Sequence, residues 1–188
     1  MDQASDDPLD RLPLPCLVGP TAAGKSALAL ELSAQTGCEL ISLDSMQVYR
    51  GMDIGTAKPH VQLQSEIPHH LIDLVEPYDE FSVADYINHA RQAAQEVLAR
   101  DHQPVFVGGT GMYLRCILRG VFEGPPANGE NRSRLQKQAE DAEARGDNYW
   151  LMRQLERVDV DAALRLHPND RRRLIRAIEV FELTGKPL

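Results

Sequence analysis

The sequence has few cysteines, no long apolar run and no excess of positive charge. Its three cysteines, Cys16, Cys38 and Cys116, are odd in number and widely spaced. This pattern fits neither a disulfide framework nor a zinc site, so we interpret them as buried, reduced thiols. No apolar run approaches the roughly 20 residues that a membrane-spanning helix needs. We therefore predict a protein that does not associate with membranes.

Acidic residues outnumber basic ones, 28 to 20, and give a formal net charge of −8. This balance argues against nonspecific nucleic-acid binding by the whole surface, although it leaves room for a local basic patch. Residues 1–13 are acidic where a signal peptide would be basic and then apolar. Because they also lack periodicity, we predict a disordered acidic tail on a cytoplasmic protein.

Short apolar runs alternate with helical patterns between residues 14 and 120. "CLVG", "ELISLDS" and "PVFVGG" have the length and composition of buried strands. Lys25 to Thr36 places Leu28 and Leu32 at helical spacing, and Ser82 with Asp85 forms a capping box for a second helix. Strands that alternate with helices predict an α/β fold, with a parallel sheet flanked by helices.

The pattern changes after Gly120. "VFEGPPANGEN" has the composition of a boundary, and the residues beyond it have helical patterns with charged faces. We assign residues 121–170 to a helical lobe inserted into or attached to the core. We assign residues 171–188 to a helix that returns to the core, with Leu174 and Ile178 on its apolar stripe.

The strongest local motif is a phosphate-binding loop between the first strand and the first helix. The spacing G-x-x-x-x-G-K-S lets small residues bring backbone N–H groups around an anion at a helix N-terminus. Lys25 would add a cation, and the Ser26 hydroxyl would reach Mg²⁺. The motif does not identify the ligand, because nucleoside triphosphates and other diphosphates present the same oxygens. The predicted phosphate-binding residues are Gly19, Pro20, Thr21, Ala22, Ala23, Gly24, Lys25 and Ser26.

Asp44 ends the second predicted strand, where ligands gather in an open α/β sheet. It could act as a general base, cap a turn, or bind Mg²⁺ through water. The spacing leaves all three roles open. His69 and His70 have no third donor at metal-ligand spacing, so we predict a packing role for them.

Five segments together resemble the tRNA dimethylallyltransferase family, also called tRNA isopentenyltransferases. They are "GPTAAGKSALALEL", "ELISLDSMQVYRGMDIGTAKP", "PHHLID", "VGGTGMYL" and "HPNDRRRLIRAIEVFELTGKPL". The second segment discriminates far better than a phosphate loop, since it has no generic structural reason to recur. The resemblance implies a P-loop NTPase-like sheet with a helical insertion lobe, a monomer, and Mg²⁺ as cofactor.

The resemblance also implies a reaction. Family members transfer a dimethylallyl group from dimethylallyl diphosphate to the exocyclic N6 amine of the adenosine 3′ of the anticodon in tRNA, and they release pyrophosphate. In this sequence the implied general base is Asp44, and Thr21 is implied to contact the bridging oxygen of the donor. Base flipping is the expected way to bring the adenine into a protein pocket.

The implied partner besides the donor is the anticodon stem-loop of tRNA. Ser45, Met46 and Gln47 match the segment that surrounds the flipped adenine, and Thr110 is implied to help hold the tRNA, although its hydroxyl could instead cap a helix. The remaining residues implied to contact tRNA are Asp44, Arg132, Arg172, Arg173, Leu174, Ile175 and Arg176.

Two alternative functions stay open. Family members are usually longer than 188 residues and carry a further segment with an implied catalytic arginine, so the resemblance implies a truncated chain with an incomplete catalytic set. A truncated tRNA-binding module without turnover is therefore one alternative. A P-loop small-molecule or nucleotide kinase, with "DRRR" as an arginine lid over ATP, is the other.

Overall fold

The computed structural model describes residues 14–120 and 124–188, which belong to two compact units. The predicted acidic tail, 1–13, and the first residues of the predicted lobe, 121–123, lie outside the described residues. No helix within the described ranges is long and apolar enough to cross a membrane.

The first unit is an α/β layer structure. Its strands are β1 (Cys16–Val18), β2 (Glu39–Leu43), β3 (His69–His70) and β4 (Pro104–Gly108), and its helices are α1 (Lys25–Thr36), α2 (Val61–Glu66), α3 (Val83–Leu98) and α4 (Gly111–Arg119). The strands pair in parallel in the order β1-β4-β2-β3. The predicted parallel α/β sheet is confirmed.

Two apolar clusters cover the sheet. The larger one packs Ile41, Leu43 and Phe106 against α3 and α4, and Tyr86 of α3 donates a hydrogen bond to the carbonyl of Ser42 at 2.9 Å. The smaller one packs Ala29 of α1 with Leu40 of β2. Strand β4 approaches β2 so closely at Gly108 that a Cβ there would lie 2.2 Å from the Leu43 carbonyl oxygen. This contact requires glycine.

The amino end of β2 carries a buried ion-pair network around Glu39. Arg100 donates to both carboxylate oxygens at 3.2 and 2.7 Å, and His70 and His102 lie 2.6 and 2.7 Å from them. Burial alone would raise the pKa of Glu39, but these hydrogen bonds outweigh it and lower the pKa to about 2. The network ties β2 to β3 and to the segment after α3.

The second unit is helical. Its helices are α5 (Gly129–Glu143), α6 (Trp150–Val158), α7 (Val160–Arg165) and α8 (Arg171–Thr184). Leu174 and Ile178 of α8 are buried in the same cluster as Leu135 of α5 and Leu155 of α6. The sequence predicts that residues 171–188 return to the core, whereas α8 belongs to the helical unit because its apolar stripe packs on α5 and α6. The domain boundaries of the whole protein stay a prediction.

Candidate functional site

The phosphate loop lies between β1 and α1, as predicted. Ala22 and Gly24 adopt left-handed backbone conformations, with φ of 64° and 79°. Gly24 is the N-cap of α1 and has no side chain to cap the helix. The first-turn N–H groups of α1 therefore have no side-chain cap and can donate hydrogen bonds to an anion, whose binding the helix dipole also favours.

Lys25 and Ser26 stand at the first turn of α1. The Lys25 ammonium donates a hydrogen bond to the Pro20 carbonyl oxygen at 2.7 Å, so the lysine folds back over its own loop. Ser26 and Thr21 are exposed. All three side chains line a cavity of about 420 Å³.

Asp44 follows β2 and lines the same cavity. Its Oδ1 atom accepts hydrogen bonds from the backbone N–H groups of Met46 at 2.8 Å and Gln47 at 3.3 Å. Within the described residues, Oδ2 makes no hydrogen bond. One oxygen thus fixes the orientation of the carboxylate, and the other can accept a proton from a substrate.

Gln47 and Thr110 are held by the protein itself. The Gln47 amide accepts from the Ser42 hydroxyl at 2.8 Å and donates to the carbonyls of Thr56 and Ala57 at 3.0 and 3.3 Å. Thr110 is the N-cap of α4, yet its side chain does not cap that helix. Its hydroxyl instead accepts a hydrogen bond from the backbone N–H of Ser45 at 3.1 Å. Both side chains therefore position the segment that follows Asp44.

The rest of the cavity is more apolar than the phosphate end. Leu30, Leu40, Leu63 and Val107 contribute apolar surface there, and His69 also lines it. Burial lowers the pKa of His69 below its ordinary value, although its hydrogen bond with the Ile67 carbonyl opposes this. A diphosphate that carries a small apolar group matches a cavity with one cationic end and one apolar wall.

The residues implied to contact tRNA in the helical unit divide into two groups. Arg172 and Arg173 are exposed, and Arg173 makes a salt bridge of 3.3 Å with Asp170. Leu174 and Ile175 are buried in the helical core, with 0% and 7% of their surface exposed. Their side chains pack inward, so the predicted contact of this segment with tRNA stays a prediction that its exposed arginines would carry.

Arg132 and Arg176 both bind a buried carboxylate of the helical unit. The fully buried Glu179 accepts from Arg132 at 2.9 and 3.1 Å and from Arg176 at 2.7 Å. Burial would raise the pKa of Glu179, but the two guanidinium groups outweigh it and lower the pKa. The two arginine side chains keep 44% and 32% of their surface exposed. They can therefore add positive charge to that of the exposed Arg172 and Arg173.

Lys58 is a residue of this region that sequence patterns do not identify. This lysine lies in the segment "DSMQVYRGMDIGTAKP", but no spacing rule singles it out.

Among the described residues, no group of three His, Cys, Asp or Glu side chains is placed to hold a metal ion.

Comparison with known proteins places this geometry in a family. The model of the IPP transferase family matches residues 47–188, and the isopentenyl transferase model matches residues 13–73. The chain belongs to the IPP transferase family. The tRNA dimethylallyltransferases of Desulfotalea psychrophila and Moorella thermoacetica are each 49% identical to this family member, over 93% and 94% of its length. The chain spans about half the length of these curated relatives, 54% and 55%.

Solved structures agree with this assignment. The tRNA isopentenylpyrophosphate transferase of Bacillus halodurans is 40% identical, with a TM-score of 0.57 over 93% of this chain and 56% of its own. A eukaryotic dimethylallyltransferase acting on tRNA is 29% identical, with a TM-score of 0.77 over 93% of this chain and 42% of its own. The predicted P-loop NTPase-like fold of this IPP transferase family member is thereby confirmed.

Proposed function

We propose that this protein transfers a dimethylallyl group from dimethylallyl diphosphate to the N6 amine of the adenosine 3′ of the anticodon in tRNA. The observation that carries the proposal is that the phosphate loop and Asp44 line one cavity in a member of the IPP transferase family. The curated relatives named tRNA dimethylallyltransferases support it over a kinase activity.

The donor would bind with its diphosphate on the loop, Gly19 to Ser26. The bond that breaks joins the allylic carbon to the bridging oxygen, and pyrophosphate leaves with the electron pair. Negative charge therefore grows on the leaving group as the reaction proceeds. Backbone N–H groups of the loop, the Lys25 ammonium and the Thr21 hydroxyl would stabilise this charge more in the transition state than in the ground state.

The acceptor amine needs a base because its lone pair is delocalised into the adenine ring. As the new carbon–nitrogen bond forms, the nitrogen loses a proton, and the Oδ2 atom of Asp44 would accept it. The backbone N–H groups of Met46 and Gln47 hold the other oxygen, so the carboxylate is oriented before the substrate arrives.

Mg²⁺ fits the donor set at the phosphate end. Ser26 is exposed in the first turn of α1 and lines the cavity with Asp44, and oxygen ligands of this kind, with phosphates and water, are those that Mg²⁺ takes. When bound, the ion would neutralise charge on the diphosphate. Ser26 would hold it directly.

The flipped adenine would sit beside Ser45, Met46 and Gln47, with Thr110 fixing the backbone at Ser45. Arg172 and Arg173 would contact the phosphates of the anticodon stem, helped by the exposed parts of Arg132 and Arg176. We further propose that the protein acts as a cytoplasmic monomer, with residues 14–120 as its P-loop core.

Calorimetric titration with Mg²⁺ tests the donor assignment. A non-reactive thio analogue of dimethylallyl diphosphate should bind at least about tenfold more tightly than ATP. Lys25→Ala should weaken the analogue by at least about tenfold, because it removes a charge-assisted contact. Lys137→Ala, on the exposed face of α5, is the matched control and should leave binding unchanged. Tight binding of ATP without binding of the analogue would refute the proposal and favour a kinase.

A further inference from the structure

Lys58 is a lysine whose charge is buried. Only 2% of its side-chain surface is exposed, and its ammonium donates three hydrogen bonds: to Asp53 at 2.7 Å, to Asp73 at 2.7 Å and to the Tyr49 carbonyl at 2.8 Å. These bonds use all three donors of the ammonium. Burial would lower the pKa of Lys58, but the two carboxylates outweigh it and raise the pKa, so the lysine is charged. We call this set, with Lys58 at its centre, the Lys58 clamp.

The clamp ties together two loops beside the cavity. Tyr49 and Asp53 belong to the segment that follows Asp44, whereas Asp73 follows β3. The backbone N–H of Asp73 donates to the Gln47 carbonyl at 3.0 Å. Gln47 in turn donates its own N–H to Asp44. A chain of direct contacts therefore runs from Lys58 through Asp73 and Gln47 to the carboxylate proposed as the base.

A second connection runs through the side chain of Gln47. Its amide donates to the carbonyls of Thr56 and Ala57, and Ala57 precedes Lys58 in the chain. Gly55, Thr56 and Ala57 also line the cavity. The clamp therefore anchors a wall of the cavity as well as the turn that holds Asp44.

Backbone strain marks the same loops. Ala57 and Asp73 have positive φ angles of 52° and 56°, which residues with a Cβ adopt rarely. Such conformations persist where surrounding contacts impose them. The Lys58 ammonium binds Asp73 directly, and the Lys58 backbone follows Ala57 in the chain, so anchoring this side chain restrains both residues.

We propose that Lys58 is a positioning residue, which holds Asp44 and Gln47 in their working geometry by bridging Asp53 and Asp73. This inference rests on the proposed function, because it gives Asp44 the role of base. Without the cation, two carboxylates that now share it would face each other uncompensated, and the loops would separate. Among the described residues, no hydrogen bond or ion pair joins the phosphate loop to the clamp, so the contacts of the loop with the diphosphate would persist.

Amide hydrogen exchange, read residue by residue by NMR, tests the positioning step. In Lys58→Met the amides of Gln47 and Asp73 should exchange at least about tenfold faster, while those of Leu28 in α1 and Phe106 in β4 stay unchanged. Lys137→Met is the control and should change none of them. Asp53→Asn is the second variant: the Asp53 side chain is 66% exposed, so folding is preserved, and the same amides should exchange faster by a smaller factor.

Steady-state kinetics of prenyl transfer to tRNA test the consequence. Lys58→Met should lower kcat about 100-fold, the effect of a small misplacement of a reacting group, with KM for the donor within about twofold of the parent. Unchanged exchange at Gln47 in both variants would overturn the inference, and so would faster exchange with unchanged kcat. Uniformly faster exchange would also overturn it, because it indicates a loss of overall stability.

The exchange measurement separates this inference from the proposed function. If the parent protein neither binds the donor analogue nor transfers a prenyl group, the proposed function fails. The exchange rates of Gln47 and Asp73 still decide whether Lys58 fixes the segment after Asp44.

Discussion

The negative charge of Glu39 can be removed either by substitution or by lowering the pH, and both should lower the free energy of unfolding. Glu39→Gln keeps the size of the side chain and removes the charge that Arg100, His70 and His102 contact. The pKa of Glu39 falls from its ordinary value of 4.5 to about 2 in the folded protein. A difference of this size corresponds to about 3 kcal/mol of folding free energy at neutral pH.

The sign of the pH dependence follows from the lowered pKa. The unfolded chain takes up the proton near pH 4.5, whereas the folded chain takes it up near pH 2. The contribution of Glu39 is therefore complete above about pH 5 and is lost as the pH falls toward 2. The stability gap between parent and Glu39→Gln should be about 3 kcal/mol at pH 7 and about half of that at pH 3.

Urea unfolding followed by far-ultraviolet circular dichroism measures this gap, with Glu31→Gln on the exposed face of α1 as the control. The control should differ from the parent by less than about 0.5 kcal/mol at both pH values. A gap below about 1 kcal/mol at pH 7 would refute the reasoning, since the hydrogen bonds would then do no more than offset burial. A gap that stays constant between pH 7 and pH 3 would show that the loss is not electrostatic.

Three further outcomes are expected. Asp44→Asn should keep the affinity for the donor analogue in titration and lower kcat for prenyl transfer by about 100-fold or more, as loss of a general base does. Arg172→Ala should weaken tRNA binding in filter assays. It should also reduce the slope of log K against log salt concentration by about 1, the value for one phosphate contact, while Lys137→Met leaves that slope unchanged. Glu179→Gln should destabilise the helical unit by about 3 kcal/mol, read from Trp150 fluorescence in urea, because it leaves two guanidinium groups without their buried partner.

Local signals in the sequence predicted the framework of the site. Gly24 and Lys25 in the phosphate loop and the capping box of Ser82 with Asp85 are formed by residues close in the chain, so their spacing suffices to place them. Asp44 was placed near the loop by the rule that strand ends in a parallel sheet gather at one edge. These elements stand where they were predicted.

Periodicity predicted the helix α1 but not its buried face. Leu28 and Leu32 lie at helical spacing, yet 54% and 37% of their surfaces are exposed. The helix packs instead through Ala29 and Ser33, and the Ser33 hydroxyl donates to the Cys38 carbonyl at 2.6 Å. Small residues allow close approach to the sheet, and a hydrophobicity pattern gives them little weight.

Long-range ionic contacts were beyond sequence reasoning. His70 was predicted to pack in a loop, but it lies in β3 and binds Glu39, 31 residues earlier in the chain. Arg132 is predicted to contact tRNA, and its guanidinium also binds Glu179, 47 residues later in the chain. A charged residue in a sequence does not reveal whether its partner is solvent, RNA or a buried carboxylate, because the fold alone brings distant partners together.

Most of the described non-glycine residues with strained backbone conformations lie in loops beside the candidate site. Ala22, Ala57, Leu71 and Asp73 have positive φ angles and lie in the phosphate loop, the segment after Asp44 or the loop after β3, whereas Asp101, with a φ of 58°, follows Arg100 of the Glu39 network. Each such residue costs about 1 kcal/mol or more, which contacts elsewhere must offset. The Lys58 clamp offsets it at the carboxyl end of β2, where Asp44 stands, whereas the Glu39 network stabilises the amino end of the same strand. Ion pairs thus fix the amino end of β2 through Glu39, and the Lys58 clamp fixes the loops beyond its carboxyl end, where the carboxylate proposed as the base stands.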